Sequence, residues 1–362
     1  MTPLAEILAK RIRLAGPMTV AEFMAEAVNH PQHGYYKQGD VFGLAGDFIT
    51  SPEISQMFGE LIGAWCADCW DKMGRPDRMV LVEIGPGRGT LMADLLRGTR
   101  VIAGFHQAID LHLVETSPAL RDLQKASLAK AAPGIAPRWH DSFEDVPDGP
   151  LLQVSNEFFD ALPIHQFEQR GGRWHERVVT LNESGDGFAF ALRAPGAAFA
   201  LAAPPMPAPE GTVLEVCPAA ISVVGGIARR LVAFGGAALN FDYAIDEGGL
   251  GDSLQAVRRH GKHGVLEDPG LADLSAHVDF AAMARVAREA GATVYGPLPQ
   301  GELLERLGIQ VRAEALRQRA SVAQAADIAA ATERLLDLQQ MGTLFKALAI
   351  TAPDCPAPAG FA

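Results

Sequence analysis

Two short stretches of this 362-residue chain carry residue types that do chemistry. In the first, Val80-Leu81-Val82-Glu83-Ile84 runs into Gly85-Pro86-Gly87-Arg88-Gly89-Thr90. Glycine at every second position lets a ligand approach bare backbone, and the amides that open a following helix are donors for an anionic group. Glu83 adds an acceptor suited to a cation. In the second, Asn156-Glu157-Phe158-Phe159-Asp160-Ala161-Leu162-Pro163 leaves the strand-like run Leu151-Leu152-Gln153-Val154-Ser155. Two acids and two phenylalanines in one turn are unusual as plain loop content. Spacing narrows the ligand of the first stretch. A dinucleotide fingerprint needs G-x-G-x-x-G or a terminal alanine. Counted from Gly85 the third place is Thr90, and counted from Gly87 it is Met92, so both registers fail.

The elements that must hold these residues follow from periodicity. Strand, glycine turn and helix together open a nucleotide-binding α/β sheet, in which ligands sit outside the carboxyl ends of the strands. Leu111-His112-Leu113-Val114-Glu115 reads as the second strand, and an acid at its end can accept both ribose hydroxyls. Glu115 lies thirty residues beyond Gly85, so the connection is longer than the ~20 of a compact unit. A helix over 118–131 follows, with Leu120, Leu123, Lys125 and Leu128 on its register. Arg138-Trp139-His140-Asp141-Ser142 ends the third strand, and Asp141 there reads as an N-cap or loop acid as readily as a ligand group. Residues 164–216 change character to short strands between Gly- and Pro-rich turns, an antiparallel insertion with a proline-rich connector at 202–209. A helix over 219–234 leads to a fifth strand over 236–243. Residues 248–275 read as loop, with Arg258, Arg259, His260, Lys262 and His263 as a solvated basic run. Val294 and Tyr295 start a sixth strand, helices cover 300–307, 314–319 and 323–338, and 345–350 is a closing strand.

The N-terminal part reads as two amphipathic helices, 3–14 and 19–29, the second opened by a capping box of Thr19 and Glu22. A turn-rich loop through residues 43–46 follows. Thr50 and Glu53 fit another capping box, and Ser51 with Pro52 fits an N-cap followed by proline. Capping alone accounts for these residues; a ligand role is the other reading. Composition sets outer bounds. The chain is 48% hydrophobic, and no run approaches the ~18 apolar residues of a membrane span. A net charge of −12 and a pI near 5.3 argue against a nucleic-acid partner. Four cysteines are too few for a disulfide scaffold, and Cys66 and Cys69 lie in a helical pattern with no second pair to complete a zinc site.

The pattern acid-x-Gly-x-Gly-x-Gly resembles motif I of class I S-adenosylmethionine (SAM) methyltransferases. With Gly46-Asp-Phe-Ile-Thr-Ser-Pro-Glu-Ile-Ser-Gln-Met-Phe-Gly-Glu60 and Ser155-Asn-Glu-Phe-Phe-Asp-Ala-Leu-Pro163, it is similar to the MidA family, in order, from about residue 1 to about 350. One departure is Ala244 after Leu239-Asn240-Phe241-Asp242-Tyr243, where the family is expected to have glycine. The resemblance implies an α/β fold, a class I SAM-methyltransferase Rossmann-like sheet, with an N-terminal helical extension at 1–77 that contributes to the cofactor site. The methyltransferase domain then covers 78–350, with a β-rich insertion at about 164–216, a loop insertion at about 248–279 and a disordered tail at 351–362. It implies SAM as cofactor, held by Thr50, Ser51, Pro52, Glu53, Glu83, Gly85, Pro86, Gly87, Gly89, Glu115, Thr116, Asp141, Ser142 and Asn156. The start of the helix near Ser51 is expected to fold over the methionine end of SAM.

Mitochondrial members of the family are arginine methyltransferases that act in assembly of respiratory complex I. The implied substrate is therefore an arginine of a protein, such as a complex I subunit, and the absence of a presequence reads as a bacterial-type cytoplasmic member. Glu157 and Asp160 are the catalytic candidates, holding a guanidinium with Phe158 or Phe159 on its face. A further one is His277, whose placement after strand five resembles the Thr-His-Trp loop of protein arginine methyltransferases; only the histidine is shared, and a half-buried structural role is its other reading. Two other classes stay open: a SAM-binding assembly factor that mainly holds a partner, and a small-molecule methyltransferase. A pure holding factor has no need of paired acids beside the cofactor.

Overall fold

The computed structural model describes residues 1–37, 50–202, 208–244 and 249–361. The expectations for the loop through 43–46, for the residues before Thr50 in the Gly46 motif, for most of the 202–209 connector and for Gly248 lie outside the described residues. The chain divides into two compact units, one taking described residues within 50–158, 223–244 and 283–361, the other those within 1–37, 159–222 and 249–282.

The first unit is built on seven strands: β1 (Met79–Ile84), β2 (Ile109–Val114), β3 (Arg138–His140), β4 (Leu151–Asn156), β5 (Gly236–Tyr243), β6 (Thr293–Pro299) and β7 (Phe345–Thr351). Their order is β3-β2-β1-β4-β5-β7-β6. β1 to β5 are parallel, and β7 runs antiparallel between β5 and β6. Strands covered on both faces are largely apolar, and the parallel β1 and β4 and the antiparallel β7 are buried along their whole length. The order reverses direction between β1 and β4, which makes their carboxyl ends the crevice where an open sheet binds ligands.

Helices α1 (Ser51–Ile54), α2 (Gln56–Lys72), α3 (Thr90–Thr99), α4 (Pro118–Ala131), α5 (Gln300–Arg306), α6 (Ile309–Arg317) and α7 (Val322–Leu336) belong to the same unit. Phe58, Ile62 and Trp65 of α2 are fully buried in one core with Leu81, Leu152 and Phe241 of the sheet. Cys66 and Cys69 are buried there as well, as core-facing thiols. Glu60 of α2, only 9% exposed, accepts from Arg312 of α6 at 2.7 and 3.0 Å and from Arg97 of α3 at 3.4 Å.

Three local expectations are corrected here. The capping box at Thr50 is half made: Glu53 accepts the Thr50 amide, but the Thr50 hydroxyl caps nothing, and the helix stops after one turn. Extended Ser55 interrupts it and caps α2 instead. In α4 Leu128 is buried and Leu120 half-buried as expected, but Leu123, 41% exposed, and Lys125 face outward, and Gln124 takes the inward place between them. The tail after Thr351 is packed rather than disordered. Ala359 N–H donates to Asp68 at 3.1 Å, Lys72 to the Ala357 carbonyl at 2.8 Å, and Arg306 to the Gly360 carbonyl at 2.9 Å, while the Phe361 ring lies 6.4 Å from that of Tyr295.

In the second unit, strand Arg173–Leu181 pairs antiparallel with Met18–Thr19, His165–Arg170 and Phe188–Arg193, and His165–Arg170 pairs with Val213–Val216. This is the expected antiparallel insertion. Helices Pro3–Ala15 and Val20–Asn29 bury Leu4, Leu8, Phe23 and Met24 in a core with Ile164, Val179 and Leu274. The 1–77 stretch is therefore not one body: its first two helices need an apolar cover, and the insertion supplies it. The 249–275 stretch, expected as loop, contains a small sheet of Gln255–Arg258, Gly261–His263 and Asp273–Ser275. Its basic run forms the hairpin, with Arg259 and His260 at positive φ in the turn.

Candidate active site

The glycine turn is where backbone geometry requires glycine. Gly85, Gly87 and Gly89 adopt φ of +67°, +51° and +79°, a region that costs other residues about 1 kcal/mol or more. A Cβ on Gly85 would stand 2.9 Å from the Phe158 ring, whereas one on Gly87 would meet nothing within 4 Å, so the turn is open on that side. Gly89 is the N-cap of α3 and has no side chain to satisfy the first amides of that helix.

Three acceptor oxygens around this turn have no donor among the described residues: Glu83 Oε2, Glu53 Oε2 and Asn156 Oδ1. Glu83 is 2% exposed; burial raises its carboxyl to about 8, opposed by the Met92 amide that donates to it. Glu53 is raised by burial too, against Arg88, whose Nε lies 3.8 Å away. Asn156 ends β4, and its Nδ2 donates to Glu157 Oε1 at 2.9 Å. Buried acceptors without donors are rare. Acceptors of this kind suit an ammonium group, and the amides that open α3, apart from that of Met92 on Glu83, suit a carboxylate. Together they fit the methionine end of SAM.

At the end of β2, Glu115 receives the Ser117 amide on Oε1 at 2.7 Å and the Gln124 amide on Oε2 at 3.4 Å, and burial raises its carboxyl. Thr116 beside it is exposed. Asp141, 79% exposed on its side chain, is engaged by Arg121 at 2.6 Å, and the Ser142 hydroxyl donates to Asp145 at 3.0 Å. Both of these groups thus already have protein partners beyond the end of β3.

At the end of β4, Glu157 sits at φ +52°, a left-handed conformation costly for a non-glycine residue and concentrated at functional sites. Its amide donates to the Phe241 carbonyl at 3.0 Å, and its Oε1 accepts from the Ser51 amide at 3.3 Å. The structure therefore brings Ser51, Asn156 and Glu157 together. Ser51 is fully buried, and its hydroxyl donates to Gln300 Oε1 at 3.0 Å; Pro52 beside it is buried as well. Asp242 accepts the Phe158 amide at 3.1 Å and the Tyr243 amide at 2.8 Å, tying the turn to β5.

Asp160 and His277 belong to the other unit. There the Ala276 amide donates to the Asp160 carbonyl at 3.0 Å, and the His277 amide donates to the Ser253 hydroxyl at 2.8 Å. Burial raises the Asp160 carboxyl to about 6 and lowers His277. Burial, Asp273 and Asp160 in turn hold the Tyr36 phenol well above its ordinary value. Phe159 is 2% exposed and belongs to the interior, whereas Phe158 is half-buried with its ring beside Gly85.

Gln124, Asp242 and Gln300 escaped the sequence reading. Asp242 carried a signal, an acid closing an otherwise apolar strand, and Gln124 a fainter one, a polar residue four places before Leu128. Gln300 carried none.

A family profile described as S-adenosyl-L-methionine-dependent methyltransferase matches residues 61–298. The chain is 38% identical over 361 residues to the mitochondrial protein arginine methyltransferase NDUFAF7 of Xenopus tropicalis, covering 93% of this chain and 83% of that protein. It is likewise 38% identical over 373 residues to the Drosophila melanogaster homologue, with 96% and 84% covered. A crystal structure from Burkholderia thailandensis bound to S-adenosyl-homocysteine superposes with a TM-score of 0.84 at 29% identity, over 99% of this chain and 94% of that one.

Proposed function

Because the chain belongs to the family of S-adenosyl-L-methionine-dependent methyltransferases, we propose that this enzyme methylates arginine in a protein substrate, a respiratory complex I subunit being the first to test. The observation that carries the reading is Glu157: a carboxylate at the end of β4, in strained backbone, with one oxygen fixed by the Ser51 amide and the Asn156 side chain. Support comes also from relatives of 38% identity that bear the name protein arginine methyltransferase.

When bound, SAM supplies a methyl group on a sulfonium centre, which an aligned nucleophile displaces in line. Glu83, Glu53 and Asn156 would hold its ammonium, the amides opening α3 its carboxylate, and Glu115 its ribose. The acceptor poses the harder problem. A guanidinium stays protonated near neutral pH and its electrons are delocalised. A carboxylate pairing with two of its nitrogens orients the planar group and draws positive charge toward those nitrogens. The remaining nitrogen is then the better nucleophile, and the proton it loses on methylation passes to solvent. Glu157 takes this part, and fixing one of its oxygens leaves little freedom of orientation to lose on binding.

Glu157→Gln keeps the shape and removes the charge. It should retain binding of S-adenosyl-homocysteine within about threefold and lose at least about 100-fold in methyl transfer. The assay is label transfer from SAM to protein, with the methylated residue located by mass spectrometry. Transfer by Glu157→Gln at the wild-type rate, or label only on residues other than arginine, would overturn the proposal.

A further inference from the structure

Helix α4 buries only Gln124 and Leu128, and Gln124 is completely shielded from solvent. A leucine would fill such a position at lower cost, since a buried amide without partners is destabilising. The reason for a glutamine lies in its hydrogen bonds. The Trp139 indole donates to Oε1 at 2.7 Å; Nε2 donates to the Gly87 carbonyl at 2.8 Å and, through a longer bond of 3.4 Å, to Glu115 Oε2. An indole N–H is a donor only, so it dictates which end of the amide faces it. The two N–H donors of Nε2 are thereby aimed at the glycine turn and at the acid of β2. The stem of the same side chain supports the turn, because its Cα and Cγ lie 3.3 Å from where a Cβ of Gly89 would be.

We propose that Gln124 is a positioning residue for cofactor recognition, locking the glycine turn and the Glu115 carboxylate into one geometry before the ligand arrives. The inference rests on the reading above that Glu115 accepts the ribose hydroxyls. With the Ser117 amide on Oε1 and Gln124 on Oε2, each carboxylate oxygen is held from the protein side. With the Thr116 amide donating to it as well, the carboxylate is held in one plane, and the lone pairs its protein donors leave are those that two adjacent ribose hydroxyls would take. Trp139 acts one step further back, by fixing the flip of the amide. Arg121 completes the frame by donating to the Glu115 main-chain carbonyl at 2.7 Å, and so holds the backbone rather than the carboxylate.

The test is calorimetric titration of the full chain with S-adenosyl-homocysteine and with its 2′-deoxyribose counterpart. The ratio of the two affinities reads the ribose contact alone, and a general loosening of the fold does not move it. The wild type should prefer the ribose form by about tenfold, the worth of one hydrogen bond to a charged group. Gln124→Leu should weaken S-adenosyl-homocysteine by about tenfold and bring the ratio close to one; Trp139→Phe, which leaves Gln124 in place, should lower the ratio part of the way. Glu115→Gln separates the two levels of inference. If it leaves the ratio intact, the ribose reading falls and the positioning role with it. If Glu115→Gln abolishes the ratio while Gln124→Leu or Trp139→Phe keeps it, only the positioning role is overturned. Should Gln124→Leu fail to fold, Gln124→Met, of similar shape and without the donors, carries the same expectation.

Discussion

Glu83 should make cofactor binding a proton-coupled event. Its side chain is buried within β1, with one oxygen on the Met92 amide and the other without a donor among the described residues. With its carboxyl raised to about 8, about 90% of the empty protein carries that proton at pH 7. An ammonium on Oε2 requires the carboxylate, so the proton must leave. If only the ionised form binds, the apparent Kd for S-adenosyl-homocysteine should be about 50-fold weaker at pH 6 than at pH 8, and about fivefold weaker at pH 7 than at pH 8. Calorimetry at pH 7 in buffers of different ionisation enthalpy should report release of about 0.9 proton per site. The same group bears on stability. Its unfolded value is the ordinary 4.5, so between pH 4.5 and 8 the native state keeps a proton the unfolded chain has lost. A raised carboxyl therefore destabilises the unliganded protein as pH climbs through that window, by at most about 5 kcal/mol at full ionisation. Glu83→Gln, always neutral, should flatten the pH dependence of binding, abolish proton release, weaken affinity at pH 8 and raise Tm there relative to the unliganded wild type. Wild-type affinity that stays level from pH 6 to 8, with no proton released, would refute the assignment of Glu83 to the ammonium.

Two further outcomes follow from the packing around the site. Ser51→Ala removes the donor to Gln300 Oε1, which is fully buried, but leaves the Ser51 amide on Glu157; it should cost about 1–2 kcal/mol in urea unfolding and change S-adenosyl-homocysteine affinity by less than about threefold. A larger loss of affinity than of stability would instead place the hydroxyl on the ligand. Arg312→Ala strips Glu60 of both short bonds and leaves it only Arg97 at 3.4 Å; unfolding free energy should fall by about 2–3 kcal/mol, and an unchanged urea midpoint would show that the clamp between α2 and α6 contributes nothing.

What could be read from residues alone was whatever their own neighbourhood decides. The turn Gly85-Pro86-Gly87-Arg88-Gly89 was legible because positive φ and open backbone are demands that one short segment meets by itself. The parallel strands were legible because burial on both faces leaves an apolar run, and the box of Thr19 and Glu22 because its partners are three residues apart. Glu83, Glu115 and Glu157 could be picked out as acids at strand ends, since an open sheet collects its ligand there. Tertiary structure decided the rest, where the partner is distant in the chain. Thr50 and Glu53 obey the same local rule as Thr19 and Glu22, yet Ser55 ends their helix after one turn, and the Ser51 amide is directed to Glu157 and its hydroxyl to Gln300, 249 residues away. The apolar stripes of the first two helices say that they must be covered, but not by which strands. The last ten described residues have a composition that by itself suggests disorder, and the side chains of Asp68, Lys72 and Arg306, all distant in the chain, are among the partners that hold their backbone. Gln124 shows the division within one residue: its place on a helix is written in the sequence, but its work on Gly87 and Glu115 exists only once Trp139 has turned its amide toward them.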